Sequence, residues 1–147
     1  MIRSYTTVGQ SKALMEKGLD PKTCDMWFHP DFNYKNRPDF SQRCMVENIP
    51  CWSMARLLAL LPHEIVVDAQ SLKRKVFSFS VEKFEPWQYI VGYSCHNHVS
   101  GEIDVLFEES CEDSPLDGLV DCLLWVLEKG YLDIEIQKEI ADEGTDD

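Results

Sequence analysis

Ser114-Pro115-Leu116-Asp117-Gly118-Leu119-Val120-Asp121-Cys122-Leu123-Leu124-Trp125-Val126-Leu127-Glu128-Lys129-Gly130 reads as one amphipathic helix. Ser114 is a capping residue, Pro115 suits the first helical position, and Asp117 falls where a capping box closes. Leu116, Leu119, Val120, Leu123, Leu124 and Leu127 recur at helical spacing and form a wide apolar stripe, with Asp117, Asp121 and Glu128 facing away. Lys129 and Gly130 supply the expected end. A stripe this wide must cover one face of a sheet.

The sheet is sought upstream. Four extended segments precede the helix: Ile65-Val66-Val67, the alternating run around Val76, Phe77 and Phe79, Tyr89 to Tyr93, and Ile103 to Phe107. Asn97, Ser100 and Gly101 supply a turn between the last two, and Asp68–Leu72 is a link of hairpin length between the first two. The economical arrangement is an antiparallel meander of three or four strands. Glu108-Glu109 and Glu112-Asp113 read as a solvated lead-in to the helix. Lys73-Arg74-Lys75 reads as a hairpin tip or a protected strand edge.

The first 62 residues are helical in pattern. Thr7-Val8-Gly9-Gln10 fits a capping box, Val8, Leu14 and Met15 make a short apolar face, and Gly18 stops the helix with Leu19 folding back. Asp20-Pro21 restarts a second helix over about 20–26, giving a helix–turn–helix-like corner. That corner offers only Lys22, Thr23 and Asp25 before Met26, a poor basic footprint for DNA. A third helix is expected over about 51–61, with Pro50 at its first turn, Trp52, Ala55, Leu58 and Ala59 at helical spacing, and Pro62 ending it. Residues 27–48 lack periodicity and read as a long loop. Its aromatics, Trp27, Phe28, Phe32, Tyr34 and Phe40, either pin the loop to the body or form a binding loop.

The expected fold class is therefore α+β, with helices from both ends of the chain packed on a three- to four-stranded antiparallel sheet. One domain is expected over 1–132: helical 1–62, β-meander 63–110 and the long helix 114–129. An acidic C-terminal tail follows over 133–147, anchored only by Ile134, Ile136 and Ile140. At 147 residues the chain can bury about 70% of its unfolded surface.

Charge is polarised along the chain. Residues 101–147 hold 16 of the 26 acidic residues and only 2 of the 14 basic ones. This argues against broad nucleic-acid binding and against docking to an anionic membrane. It fits solubility, or a partner with a basic surface. No charged–apolar–small leader and no apolar run of membrane-spanning length is read, so a soluble, cytoplasmic protein is expected. The six cysteines, Cys24, Cys44, Cys51, Cys95, Cys111 and Cys122, show no CxxC spacing and read as free thiols.

Chemistry-bearing motifs are sparse. Cys95-His96-Asn97-His98 is the best local candidate: if the preceding strand runs on, His96 and His98 share a face and could begin a metal site, with His29, Glu102 or Asp104 as a third ligand. Otherwise both imidazoles sit in a solvated turn. No cysteine is marked as an activated nucleophile. There is no GxGxxG or GxxxxGK[ST] pattern, and no cofactor is implied.

Three motifs occur in order: Thr6-Thr7-Val8-Gly9-Gln10-Ser11-Lys12 leading to Gly18-Leu19; Ile49-Pro50-Cys51-Trp52-Ser53 leading to Leu57–Pro62; and Pro115-Leu116-Asp117 leading to Leu124–Tyr131. As a set, over roughly 5–132, they resemble a group of small uncharacterised proteins of Bacteroidetes genomes and prophages. The resemblance implies a cytoplasmic accessory protein linked to a mobile element, and it carries no catalytic residue across. The expected function is thus a non-enzymatic, acidic binding protein, working through the aromatic loop or the acidic C-terminal face on a host or phage protein. The alternatives are a small metal-dependent enzyme or metal-binding protein built on His96 and His98, and a structural homo-oligomer.

Overall fold

The computed structural model describes residues 3–28, 38, 48–68 and 74–143. The chain is α+β. Its elements are α1 (Val8–Glu16), a 3-10 turn (Pro21–Thr23), β1 (Met26–Phe28), β2 (Ile49–Cys51), α2 (Met54–Leu60), β3 (Glu64–Asp68), β4 (Arg74–Glu85), β5 (Gln88–His96), β6 (Ile103–Glu112), α3 (Leu116–Lys129) and α4 (Ile134–Glu143). Strands β3 to β6 form an antiparallel meander in chain order, and β1 and β2 form a separate two-stranded ribbon.

The meander has two unlike faces. Side chains alternate along each strand, and paired residues share a face. Ile65, Phe77, Val91, Tyr93 and Phe107 point to one side and pack with α3, whose Leu116, Leu119, Val120, Leu123 and Val126 are buried. Trp125 reaches from α3 into this layer. It stacks on Phe107 at 4.9 Å between ring centroids and lies near Tyr93 and Tyr131. The fully buried Tyr93 hydroxyl donates to the Pro62 carbonyl at 2.7 Å. The helix sits close because Gly118 faces the sheet: a Cβ there would lie 2.9 Å from Val91 Cγ2 and 3.0 Å from Cys111 Sγ.

A hydroxyl network fixes the N-terminal segment. Trp52 is fully buried, and its indole N–H donates to Thr23 Oγ1 at 3.0 Å. Thr6 Oγ1 accepts from Trp52 N–H at 3.1 Å and bonds Ser11 Oγ at 2.8 Å. Asp25 accepts from both the Ser53 N–H and its hydroxyl. Thr6, Ser11 and Thr23 are buried polar residues, each satisfied by these partners.

Several expectations are met in detail. The α1 capping box forms between Thr7 and Gln10, and Leu19 N–H returns to the Leu14 carbonyl past Gly18. Gly130 ends α3 at φ +74°, a conformation that favours glycine. The β5–β6 turn is held by Asn97, whose side-chain oxygen accepts from Val99 and Ser100 N–H.

Others are corrected. The second helix is only a 3-10 turn, because Cys24 is already extended and Met26–Phe28 enters β1. The irregular stretch 27–48 therefore opens with a strand. Pro50 lies in β2 opposite Trp27 rather than in a helix, and Ser53 caps α2 by accepting from Arg56 N–H. With α2 starting at Met54, Trp52 falls outside its phase. Its buried face is Leu57 and Leu60, while Ala55, Leu58 and Ala59 are exposed. Ser114 Oγ does accept from Leu116 N–H, but Asp117 closes no capping box; its carboxylate is taken by Arg3 at 2.9 Å and Gln10 at 2.8 Å. Glu108, Glu109 and Glu112 belong to β6, which runs well past Phe107. The acidic segment after α3, read as a tail or a loose last helix, forms α4 over Ile134–Glu143, with Ile140 and Ala141 buried, Ile136 half-buried and Ile134 exposed.

Gly118→Ala is expected to destabilise the fold by about 1–3 kcal/mol, although alanine is the better helix former, because the added methyl overpacks the helix–sheet contact. Urea denaturation of the two proteins measures this; an unchanged or raised midpoint would place α3 further from the sheet.

Candidate functional site

The face of the meander turned away from α3 is open among the described residues. Register places Val66, Val76, Ile90, Ile103 and Val105 on it, and none of the five belongs to the core. Ile103 is 57% exposed, Val105 50% and Val66 40%. A solvated sheet face is ordinarily polar. Here aliphatic side chains stand towards both edges, Val66 opposite Val76 on β3 and β4 and Ile103 with Val105 on β6, with His96 and Ser94 of β5 between them. Ser78 pairs with Ser94 across the middle of the face. The β4–β5 hairpin extends the surface and ends in Phe84 and Trp87, 64% and 70% exposed.

The charge of this face is acidic. Glu64, Glu82, Glu108 and Glu112 project from it, Arg74 supplies one guanidinium, and the exposed His96 imidazole stands opposite Ile103. On the helix side, Lys75 Nζ pairs with Asp104 Oδ2 at 2.8 Å. That exposed pair raises the Lys75 ammonium above its usual range through the hydrogen bond and charge of Asp104.

A bulge creates much of the exposure. Tyr93 pairs with Phe107 and the next residue, Ser94, with Val105, so Leu106 is extra. Leu106 and Phe107 both pack towards the core, and Val105 and Ile103 are turned outward. Strict alternation would have put Ile103, Val105 and Phe107 together on one side. The signal in the sequence is the three-residue apolar run Val105-Leu106-Phe107, which alternation cannot accommodate.

His96 ends β5 and His98 lies in the following turn, both exposed, with ring centroids 5.4 Å apart. The two imidazoles are thus brought together. No third His, Cys, Asp or Glu joins them in a metal-holding group among the described residues. Of the third ligands considered, Asp104 is engaged by Lys75, and His29 lies outside the described residues. Two imidazoles fall short of the three or four protein ligands of a zinc centre. Of the aromatic-loop candidates, Phe28 is buried in β1 beside Tyr5, and Trp27 is half-buried opposite Pro50. Both are pinned to the body. Phe32, Tyr34 and Phe40 lie outside the described residues.

The described cysteines, Cys24, Cys51, Cys95, Cys111 and Cys122, are free thiols. Burial pushes Cys24, Cys51 and Cys122 up to about 12, so each stays protonated at neutral pH and is a poor nucleophile. Glu109, on the helix side of β6, is raised above the usual carboxylate range, first by burial and then by a hydrogen bond and charge repulsion from Asp121 on α3.

Among the described residues, no helix is long and apolar enough to cross a membrane. Comparison with protein-family models, curated proteins and solved structures finds no match for this chain.

Two outcomes follow from this chemistry. Glu109 holds its proton more tightly folded than unfolded, so the folded state carries the extra proton between the unfolded value near 4.5 and the raised folded one. Its contribution is fully present below 4.5 and is lost as pH rises through the folded value. Glu109→Gln is therefore expected to gain urea resistance relative to wild type as pH rises from 4 to 7; a constant gap between the two would remove the Asp121 coupling. Metal analysis of natively purified, tag-free protein is expected to give well under one equivalent. A full equivalent that disappears in His96→Ala would make the histidine pair a metal site.

Proposed function

We propose that this chain is a small, non-enzymatic, acidic binding protein that engages a partner through the open face of its sheet. The observation that carries the reading is the exposed aliphatic pair Ile103 and Val105 on β6, with Val66 exposed on β3 at the opposite edge of the same face and carboxylates around them. Large apolar side chains exposed side by side, as Ile103 and Val105 are, mark an interaction site more often than scattered single residues do. The acid rim gives the surface a sign, which favours basic partners and speeds their approach. The thiols that burial holds protonated add no competing chemistry.

The resemblance of the three ordered motifs to proteins of Bacteroidetes genomes and prophages supports an accessory role in a mobile element, acting on a host or phage protein. The contact is assigned to the face; of the loop aromatics, Phe28 is consumed by packing in β1 and Trp27 is half-buried opposite Pro50.

Capture of a protein from a Bacteroidetes lysate on immobilised wild-type chain is expected to weaken with added salt and to be abolished by Ile103→Lys with Val105→Lys. Both side chains lie outside the core, so the helical circular dichroism of that variant should match wild type. Capture that survives the double substitution, or is indifferent to salt, would remove the face from the binding site.

A further inference from the structure

We infer that the open sheet face takes a basic amphipathic helix of a partner protein, an inference that rests on the binding reading above and names the partner's chemistry. A pleated face with apolar rows is covered in folded proteins by a helix or by a second sheet. The other face of this meander shows the helical solution, with an apolar stripe seated on the strands and Gly118 allowing close approach. The open face offers the same two ingredients. Val66 with Val76 on one side and Ile103 with Val105 on the other supply two apolar strips, and between them Ser78 and Ser94 leave short side chains where a helix backbone must come near, with His96 beside Ile103.

Charge selects the occupant. A second copy of this chain laid face to face would set Glu64, Glu82, Glu108 and Glu112 against the same four carboxylates, with one Arg74 from each copy to offset them. Like charges brought together across an interface oppose association. A helix whose apolar stripe is flanked by Lys and Arg meets both features at once: its stripe covers the aliphatic rows and its cationic heads reach the carboxylates. Long basic side chains also lay their methylenes along apolar surface while keeping the charge at the rim.

The test titrates the isotope-labelled full chain with a synthetic peptide of Leu, Lys and Arg at helical spacing, followed by amide shifts. A counterpart with Glu at every Lys and Arg position serves as the control. The basic peptide is expected to shift residues of β3 to β6, those around Ser78, Ser94, Ile103 and Val105 most, and the acidic one none of them. Ile103→Ser with Val105→Ser should weaken binding about tenfold through lost apolar contact. Glu82→Gln with Glu108→Gln should weaken it and flatten its salt dependence. Shifts confined to the acidic helices α3 and α4, or equal affinity in the serine variant, would overturn the inference. So would a wild-type dimer in sedimentation that the serine variant dissolves, which would give the face to a second copy. Absence of peptide binding, with lysate capture still lost in the lysine variant, would overturn the helix chemistry and leave the binding reading standing. Capture indifferent to the lysine variant would overturn both.

Discussion

The buried hydroxyl of Tyr93 ties the middle of the sheet to the helical half of the chain. A phenol taken out of water must keep its hydrogen bond or lose the whole value of its solvation. Here it does so by donating to the Pro62 carbonyl, just after α2 ends. That bond fixes the distance between the middle of the sheet and the helical half of the chain. Phe79 lies against one side of the ring, and Trp125 of α3 lies near it on the helix side. Trp125 in turn stacks on Phe107 and meets Tyr131 beyond the end of α3. A contiguous aromatic cluster thus joins α2's end, β4, β5, β6 and α3. Burial also holds the Tyr93 hydroxyl far above its usual titration range, so the donor persists at any ordinary pH.

Trp52 plays the same part at the other end of the helical half. Its ring is fully buried, and its one polar atom is met by Thr23 on the short turn, while Thr6 meets its backbone N–H. The chain before α1, the 3-10 turn and the start of α2 are tied to one side chain, with Thr6 N–H donating back to the Trp52 carbonyl. Satisfied networks of this kind specify one arrangement, because breaking any member strands a buried polar group.

What the sequence disclosed follows from the range of the physics. The α1 capping box, the glycine stops and the α3 stripe are written within a few neighbouring residues and could be read, as could the order of the meander strands, whereas the Ser53 cap of α2 was masked by Pro50 and the Asp117 carboxylate is claimed by Arg3 and Gln10. The ribbon of β1 and β2 could not: each strand has three residues, one contains Pro50, and pairing joins positions more than twenty residues apart. The reach of β6 was hidden by its charges. Glu108 and Glu112 face water while Glu109 turns towards Asp121, so an alternating strand looked like a solvated lead-in. The open face was hidden by one extra residue. Leu106 shifts the phase, and Ile103 and Val105, which alternation groups with Phe107, come to lie on the opposite side. The strand that would have set His96 and His98 on one face by alternation ends at His96, and the two rings meet instead across a strand end and a turn.

The bulge therefore links fold to function. It places both Leu106 and Phe107 in the core, and it commits the residues before them to the far side. Polar residues at 103 and 105 would have given an ordinary solvated sheet. Serine is in fact what the neighbouring strands carry at Ser78, Ser80 and Ser94 on that face, so the pattern for a solvated surface is present in the same sheet. Aliphatic residues stand where the fold makes no use of them, next to carboxylates that disfavour self-association. A surface built this way costs solubility without adding stability, and the partner proposed for it, apolar in its middle and basic at its edges, is one whose chemistry would make use of it.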